Sequence, residues 1–258
     1  MSQPKRRKAF NQQESPYGPL SGKVCVVTGS QGMFGLSLCR ALLAAGVAEV
    51  RGFDRVAPSP DSAQHTGDSN TLWTSRRRQR SRSPSGSPGV RDERHRDSVF
   101  DRGVDARVRH FCGDITWSPE LRAACRGADA VFHAASYGMS GEEMLDRRQT
   151  RAVNISGTKH VLDCCKSEKV QCLIYTSTYN TVFGGQRVET GDESMDYYPV
   201  EEHADEYSRT KALAEQLVLG ANDTATPNGL RTVALRSAAI YGEGERRHFP
   251  RIIQVGIY

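Results

Sequence analysis

Between the apolar run Val24-Cys25-Val26-Val27 and the helix-forming run from Leu36 to Ala45 stands Thr28-Gly29-Ser30-Gln31-Gly32-Met33-Phe34-Gly35, with glycines at 29, 32 and 35. Strand, glycine turn and helix in that order admit few folds. Lacking side chains, the three glycines let the chain turn tightly and let an outside group reach the backbone. The helix starts at the turn, so its free N–H groups and its dipole favour an anion there, such as a pyrophosphate. Met33 and Phe34 fall inside the same turn and share the expected contact with a dinucleotide.

Downstream, the pattern alternates between apolar strands and amphipathic helices. Strands are predicted near 23–28, 49–54, 107–112, 129–134, 171–177 and 230–236, and helices near 34–45, 119–126, 150–167 and 205–219. Ser118-Pro119-Glu120 reads as a helix start, with a capping hydroxyl and a first-turn proline. Such alternation gives an α/β fold, a doubly wound, Rossmann-like parallel sheet. The fourth predicted helix carries Tyr207-Ser208-Arg209-Thr210-Lys211. About one helical turn separates Tyr207 from Lys211, so phenol and ammonium share a face. An ammonium there favours phenolate, as acid–base chemistry on an alcohol or ketone requires. Each motif alone is weak, since a glycine turn or a surface Tyr/Lys pair is commonplace. Together, and with a strand ending Tyr175-Thr176-Ser177-Thr178 between them, they give the layout of a dehydrogenase.

Asp54 ends the second predicted strand, where a carboxylate accepts from both ribose hydroxyls and repels a 2′-phosphate. That favours NAD over NADP, with Arg55 beside it as the argument for NADP. Ala134 and Ala135 follow the fourth strand, where small side chains leave room for a second ribose. His133, a lone histidine in a strand, reads as packing rather than as a metal ligand.

The 258 residues divide unevenly. Residues 1–20 read as a disordered basic tail, in which Lys5-Arg6-Arg7-Lys8 is more simply a solvated run than a nuclear-localisation signal. Residues 21–254 form the dinucleotide-binding domain, interrupted at 57–106 by an Arg/Ser/Pro-rich insert with almost no large apolar residues, expected to be disordered. The insert could engage RNA or acidic partners, though a passive insertion is the simpler account and nucleic acid is not expected. Tail and insert together carry the net charge of +5, which leaves the remainder neutral. Seven scattered cysteines show no metal-binding spacing and read as small buried hydrophobes of a reduced compartment. No apolar run approaches the ~20 residues that a membrane helix needs.

Val131-Phe132-His133-Ala134-Ala135-Ser136-Tyr137-Gly138-Met139-Ser140-Gly141, Tyr175-Thr176-Ser177-Thr178, Phe183-Gly184-Gly185, Tyr207 to Lys211, and Leu235-Arg236 through Tyr241-Gly242-Glu243-Gly244 carry a resemblance. On them, and over roughly residues 20–254, the chain resembles an extended short-chain dehydrogenase/reductase of the 3β-hydroxysteroid dehydrogenase group, closest to family 42E. The resemblance implies Tyr207 as acid–base group, Lys211 as its partner and Thr178 as the hydroxyl that holds the substrate oxygen. Ser177 is the rival to Thr178, on the opposite face of the strand. It further implies that Asp114, followed by Ile115, binds the adenine, and that Asn154, in Asn154-Ile155-Ser156-Gly157-Thr158, serves the cofactor site near the lysine. A plain helix-interior role for Asn154 stays open. Ser237 stands where relatives usually carry proline.

Implied as well are a steroid- or sterol-like substrate, a cytoplasmic location with any membrane association left to a C-terminal part, and a homodimer as one open oligomeric state. Relatives continue well past Tyr258, so most of the C-terminal substrate domain is expected to be absent, residues 255–258 to diverge, and turnover to be poor. The rival function is a dinucleotide-binding protein without catalysis that acts through its basic insert.

Overall fold

Val26 and Val27 are both fully buried, although they point to opposite faces of their strand. A run that is apolar on both faces needs cover on both sides, which makes β1 (Val24–Thr28) a central strand. The computed structural model describes residues 20–56, 101–102, 105–242, 245 and 253. In it β1 pairs in parallel with β2 (Glu49–Asp54) on one side and β5 (Ala130–His133) on the other. β4 (Val108–Cys112) lies outside β2, and β6 (Cys172–Thr178) and β7 (Arg231–Ser237) lie outside β5. With β3 (Asp101–Arg102) the order is β3-β4-β2-β1-β5-β6-β7. Chain order reverses between β1 and β5, and in open α/β sheets that switch point is where a ligand crevice opens.

Helices cover both faces. On one, α1 (Met33–Ala44) packs Cys39, Leu42 and Leu43 onto Cys25, Val27 and Val50. On the other, α2 (Pro119–Cys125), α4 (Thr158–Ser167) and α5 (Glu206–Gly220) bring Leu121, Val161, Leu162, Ala214 and Val218 against Val26, Val131 and Leu173. The doubly wound fold expected from the alternation is therefore present, and every predicted strand and helix is found close to its predicted bounds.

Three local expectations need correction. The helix predicted from residue 150 starts earlier, as α3 (Arg147–Arg151), because Asp146 caps it by accepting from the Gln149 N–H at 2.9 Å. A π-helical stretch, Ala152–Gly157, joins it to α4. The Ser118 hydroxyl does not cap α2; it donates to the Glu120 carboxylate, a stronger acceptor within reach two residues on. The insert expected to be disordered over 57–106 contains an ordered piece: Asp101–Arg102 pairs antiparallel with His110 and Arg109, where the open edge of β4 offers unpaired backbone groups. Residues 57–100 and 103–104 of the insert, the tail up to residue 19 and the divergent end at 255–258 lie outside the described residues.

β7 is the last strand of the described sheet. Its Thr232, Ala234 and Arg236 face α5, whereas Val233 and Leu235 on the opposite face are 42% and 56% exposed. Five of the seven cysteines are buried, and burial pushes the Cys39 thiol up to about 12; Cys112 is the exposed one. No described helix is long and apolar enough to cross a membrane.

Candidate active site

A cavity of ≈ 770 Å³ opens at the C-terminal ends of β1, β2, β5, β6 and β7, over the switch point. The glycine turn is its floor. Gly29 has φ +72, and a Cβ there would stand 2.9 Å from Ala135 Cα. A Cβ on Gly35 would fall 2.1 Å from the Gly29 carbonyl oxygen, so the helix can sit on the turn only as glycine. Gly32 is different: its Cβ would meet only that same oxygen, at 3.3 Å, and beyond it lies the cleft. Gly32 is the N-cap of α1, no side chain caps the helix, and its first turn holds no acid. The resulting cradle is bare backbone with a positive dipole end.

Met33, Phe34, Asp54, Asp114, Ile115, Ala134 and Ala135 all line this cavity. Asp54 braces the turn: Oδ2 accepts from the Gln31 N–H at 2.9 Å and Oδ1 from the Val56 N–H at 3.1 Å. Arg55 lies over the Tyr137 ring at 5.7 Å. Asp114 Oδ1 accepts from the N–H and the hydroxyl of Thr116, both at 2.8 Å, which folds its loop back on itself. Ile115 explains a glycine that the sequence left unexplained, since a Cβ on Gly157 would lie 2.7 Å from Ile115 Cδ1. Asn154 is not brought into the cleft. Its amide is spent on Tyr137 N and O and on Thr210 Oγ1, each at 2.9 Å, so it ties the loop after β5 to α5 beside Lys211.

The proposed reacting groups converge at the far end. Asp205 caps α5, accepting from the Ser208 N–H at 2.7 Å, and this fixes the first turn that carries Tyr207. Lys211, 2% exposed, donates from Nζ to the Thr176 carbonyl at 2.6 Å and lies 4.1 Å over the Tyr175 ring. Thr178 ends β6. Its Oγ1 accepts from the Asn180 N–H at 3.3 Å, and Asn180 Nδ2 donates to Ser208 Oγ at 2.9 Å, which couples the threonine to α5. Ser177 instead donates its hydroxyl to Glu215. Ser237 donates to the Ser177 carbonyl at 3.1 Å, a contact that proline has no hydroxyl to make.

His133 packs as expected, but it also orders a buried chain that the sequence did not reveal. Burial, reinforced by Lys211, lowers its pKa to about 3, so the ring is neutral. Thr158 donates to the Asn154 carbonyl at 2.7 Å and therefore accepts from His133 Nε2–H at 2.9 Å. Nδ1 is then the acceptor for the Thr28 hydroxyl at 2.7 Å, while Thr28 Oγ1 accepts from the Ala135 N–H. With the Thr158 proton on the Asn154 carbonyl, donor counting gives this tautomer. The chain stitches β1, β5 and α4 together directly below the cleft.

Burial pulls Lys211 from 10.5 down to about 7, against the pull of Glu215. An unfolded lysine keeps its proton to higher pH than this folded one, so stability rises with pH between about 7 and 10.5 and the full cost is felt below 7. His133 adds a cost of the same sign as pH falls from 6.5 towards about 3. Lys211→Met should therefore raise Tm at pH 7, by about 3 °C or more, since each tenfold loss of proton affinity is worth ~1.4 kcal/mol. The gain should shrink at pH 10. Melting curves at the two pH values check this; an equal or lower Tm at pH 7 would contradict it.

Residues 87–256 match the 3-beta hydroxysteroid dehydrogenase/isomerase family. Short-chain dehydrogenase/reductase family 42E member 1 of Danio rerio is 52% identical over 143 residues, which are 54% of this chain and 37% of that protein. Its Homo sapiens counterpart is 50% identical over 151 residues, 57% of this chain and 38% of that one. The matched part thus spans under two-fifths of those relatives. Among solved structures, DesIV of Streptomyces venezuelae, a dTDP-glucose 4,6-dehydratase with NAD bound, superposes with a TM-score of 0.63 at 20% identity. That match covers 90% of this chain and 62% of DesIV, and at such identity it speaks for the fold alone.

Proposed function

The chain belongs to the 3-beta hydroxysteroid dehydrogenase/isomerase family, and on that premise we propose that it is an NAD-dependent oxidoreductase acting on the CH–OH group of a steroid-like secondary alcohol, or on the matching ketone. The observation that carries this is one cleft lined both by the side-chain-free N-terminus of α1 and by Tyr207, Lys211 and Thr178. A dinucleotide fits the residues present. The Gly32 side of the turn leaves space that a Cβ would fill, and Gln31 Nε2 is buried there without a hydrogen-bond partner among the described residues.

NAD supplies the hydride acceptor or donor. Gly29, Gly32 and Gly35 with Met33 and Phe34 cradle its pyrophosphate, and Asp54 accepts from the adenine-side ribose. Asp114 and Ile115 hold the adenine, while Ala134 and Ala135 leave room for the second ribose. In oxidation Tyr207, as phenolate, takes the proton of the substrate hydroxyl. Thr178 holds the substrate oxygen: it accepts from Asn180, so its own O–H points its proton elsewhere, whereas Ser177 is committed to Glu215. Lys211 keeps Tyr207 ionised by charge and reaches the nicotinamide ribose. Asn154 serves the site from behind, positioning Lys211 through Thr210. The steroid class rests on family membership.

NAD should stabilise the protein through binding linkage, by ~2.7 kcal/mol at a hundredfold excess over Kd, and so raise Tm. NADP should do so markedly less, because Asp54 faces the 2′-phosphate. A thermal shift from NADP equal to or larger than that from NAD would overturn the cofactor assignment.

A further inference from the structure

Glu215 stands one helical turn beyond Lys211 on α5 and is 1% exposed. Three segments share its carboxylate. Oε2 accepts from Ser177 Oγ at the end of β6. Oε1 accepts from the Tyr197 hydroxyl at 2.9 Å and from Arg236 of β7, Nε at 2.9 Å and Nη2 at 2.8 Å. Arg236 in turn lies over the Tyr197 ring at 5.2 Å. A carboxylate so deeply buried is costly unless its lone pairs are satisfied, and here they are. Two of the partners adjoin the cleft, Ser177 preceding Thr178 and Arg236 preceding Ser237, and α5 itself carries Tyr207 and Lys211.

We infer that Glu215 is the positioning residue of the Tyr207, Lys211 and Thr178 cluster, clamping the ends of β6 and β7 to α5 and supplying the negative charge that keeps Lys211 an ammonium. This rests on the reading of that cluster as the reacting group. The groups facing Lys211 are Tyr175 and the Thr176 carbonyl from β6, His133 from β5, and Tyr207 and Glu215 from its own helix, with Arg236 of β7 held behind Glu215. His133 is neutral, and burial pushes the Tyr175 phenol up, so it is neutral too. Among these groups Glu215 brings the standing opposing charge, since Tyr207 carries one only as the phenolate. Without Glu215, desolvation of Lys211 is less well balanced, and the lysine gives up its proton at lower pH.

The test needs neither turnover nor NAD, so its failure is distinct from failure of the proposed reaction. In the full chain labelled with ¹³Cε-lysine, the Lys211 resonance is identified by its loss in Lys211→Met and then followed against pH. Glu215→Gln keeps the shape of the side chain and removes its charge, and it should move the Lys211 midpoint down by about one pH unit or more. A purely structural role would lower Tm and leave that midpoint where it was; an unmoved midpoint in folded Glu215→Gln overturns the inference. Arg236→Gln is the second variant, and it carries the test alone if Glu215→Gln does not fold. It leaves the Glu215 charge less neutralised, so the midpoint should rise; a midpoint that stays or falls overturns the inference.

Discussion

Tyr207→Phe should lower oxidation of a secondary alcohol by about a hundred- to ten-thousand-fold, the range that a positioned acid–base group contributes. The change removes one oxygen at the first turn of α5. It leaves untouched the Asp205 cap that sets that turn and the Lys211 contact with the Thr176 carbonyl. The glycine cradle lies on other elements, so the NAD-induced rise in Tm should be nearly the same in both proteins. Turnover is best followed at the length of the 42E relatives, of which the matched residues span under two-fifths. The split between lost turnover and retained binding is what matters. Unchanged turnover would show that Tyr207 is not the acid–base group.

Gly35→Ala should unfold or severely destabilise the protein, by about 3 kcal/mol or more, through overpacking at a site with no room to relax. Its Cβ would lie 2.1 Å from the Gly29 oxygen and 2.8 Å from the Gly29 carbonyl carbon. Gly29 cannot retreat. Its oxygen accepts from the Gly32 N–H at 3.1 Å, its N–H donates to the Phe53 carbonyl at 2.9 Å, and it sits so near Ala135 that a Cβ on it would stand 2.9 Å from the Ala135 Cα. Moving it would disturb β1, β2 and β5 together. Denaturant unfolding measures the loss, and a Gly35→Ala protein of native stability would mean that the turn is looser than its geometry requires.

Much of this was legible in the sequence because it is local. Strand and helix alternation, the glycine spacing and the one-turn offset of Tyr207 and Lys211 all depend on neighbours within a few residues, and the fold followed from them. What stayed hidden depends on pairs far apart in the chain. Glu215 stands in plain spacing, four residues after Lys211, but its partners Arg236 and Ser177 are 21 and 38 residues away. The glycine at 157 became intelligible only against Ile115, and the His133 tautomer only against Thr28 and Thr158. Asn154 sits on the predicted helix, yet a helix position does not say which way an amide turns, and this one faces Tyr137 and Thr210. Ser118 was placed correctly as a helix start, but its proton goes to Glu120, a choice between acceptors that a capping rule does not resolve.

The central claim is that the bare backbone at Gly32 receives the cofactor's pyrophosphate, and calorimetric titration of NAD into wild type and Gly32→Val tests it most directly. Unlike Gly35, Gly32 has φ in the ordinary range, at −70°, and a Cβ there meets only the Gly29 oxygen, at a tight 3.3 Å rather than 2.1 Å, so the valine protein should fold with a Tm only modestly below wild type. Its isopropyl group would then occupy the approach to the helix N-terminus. The expected result is saturable heat with wild type and none with Gly32→Val. Equal NAD affinity in two folded proteins would contradict the account.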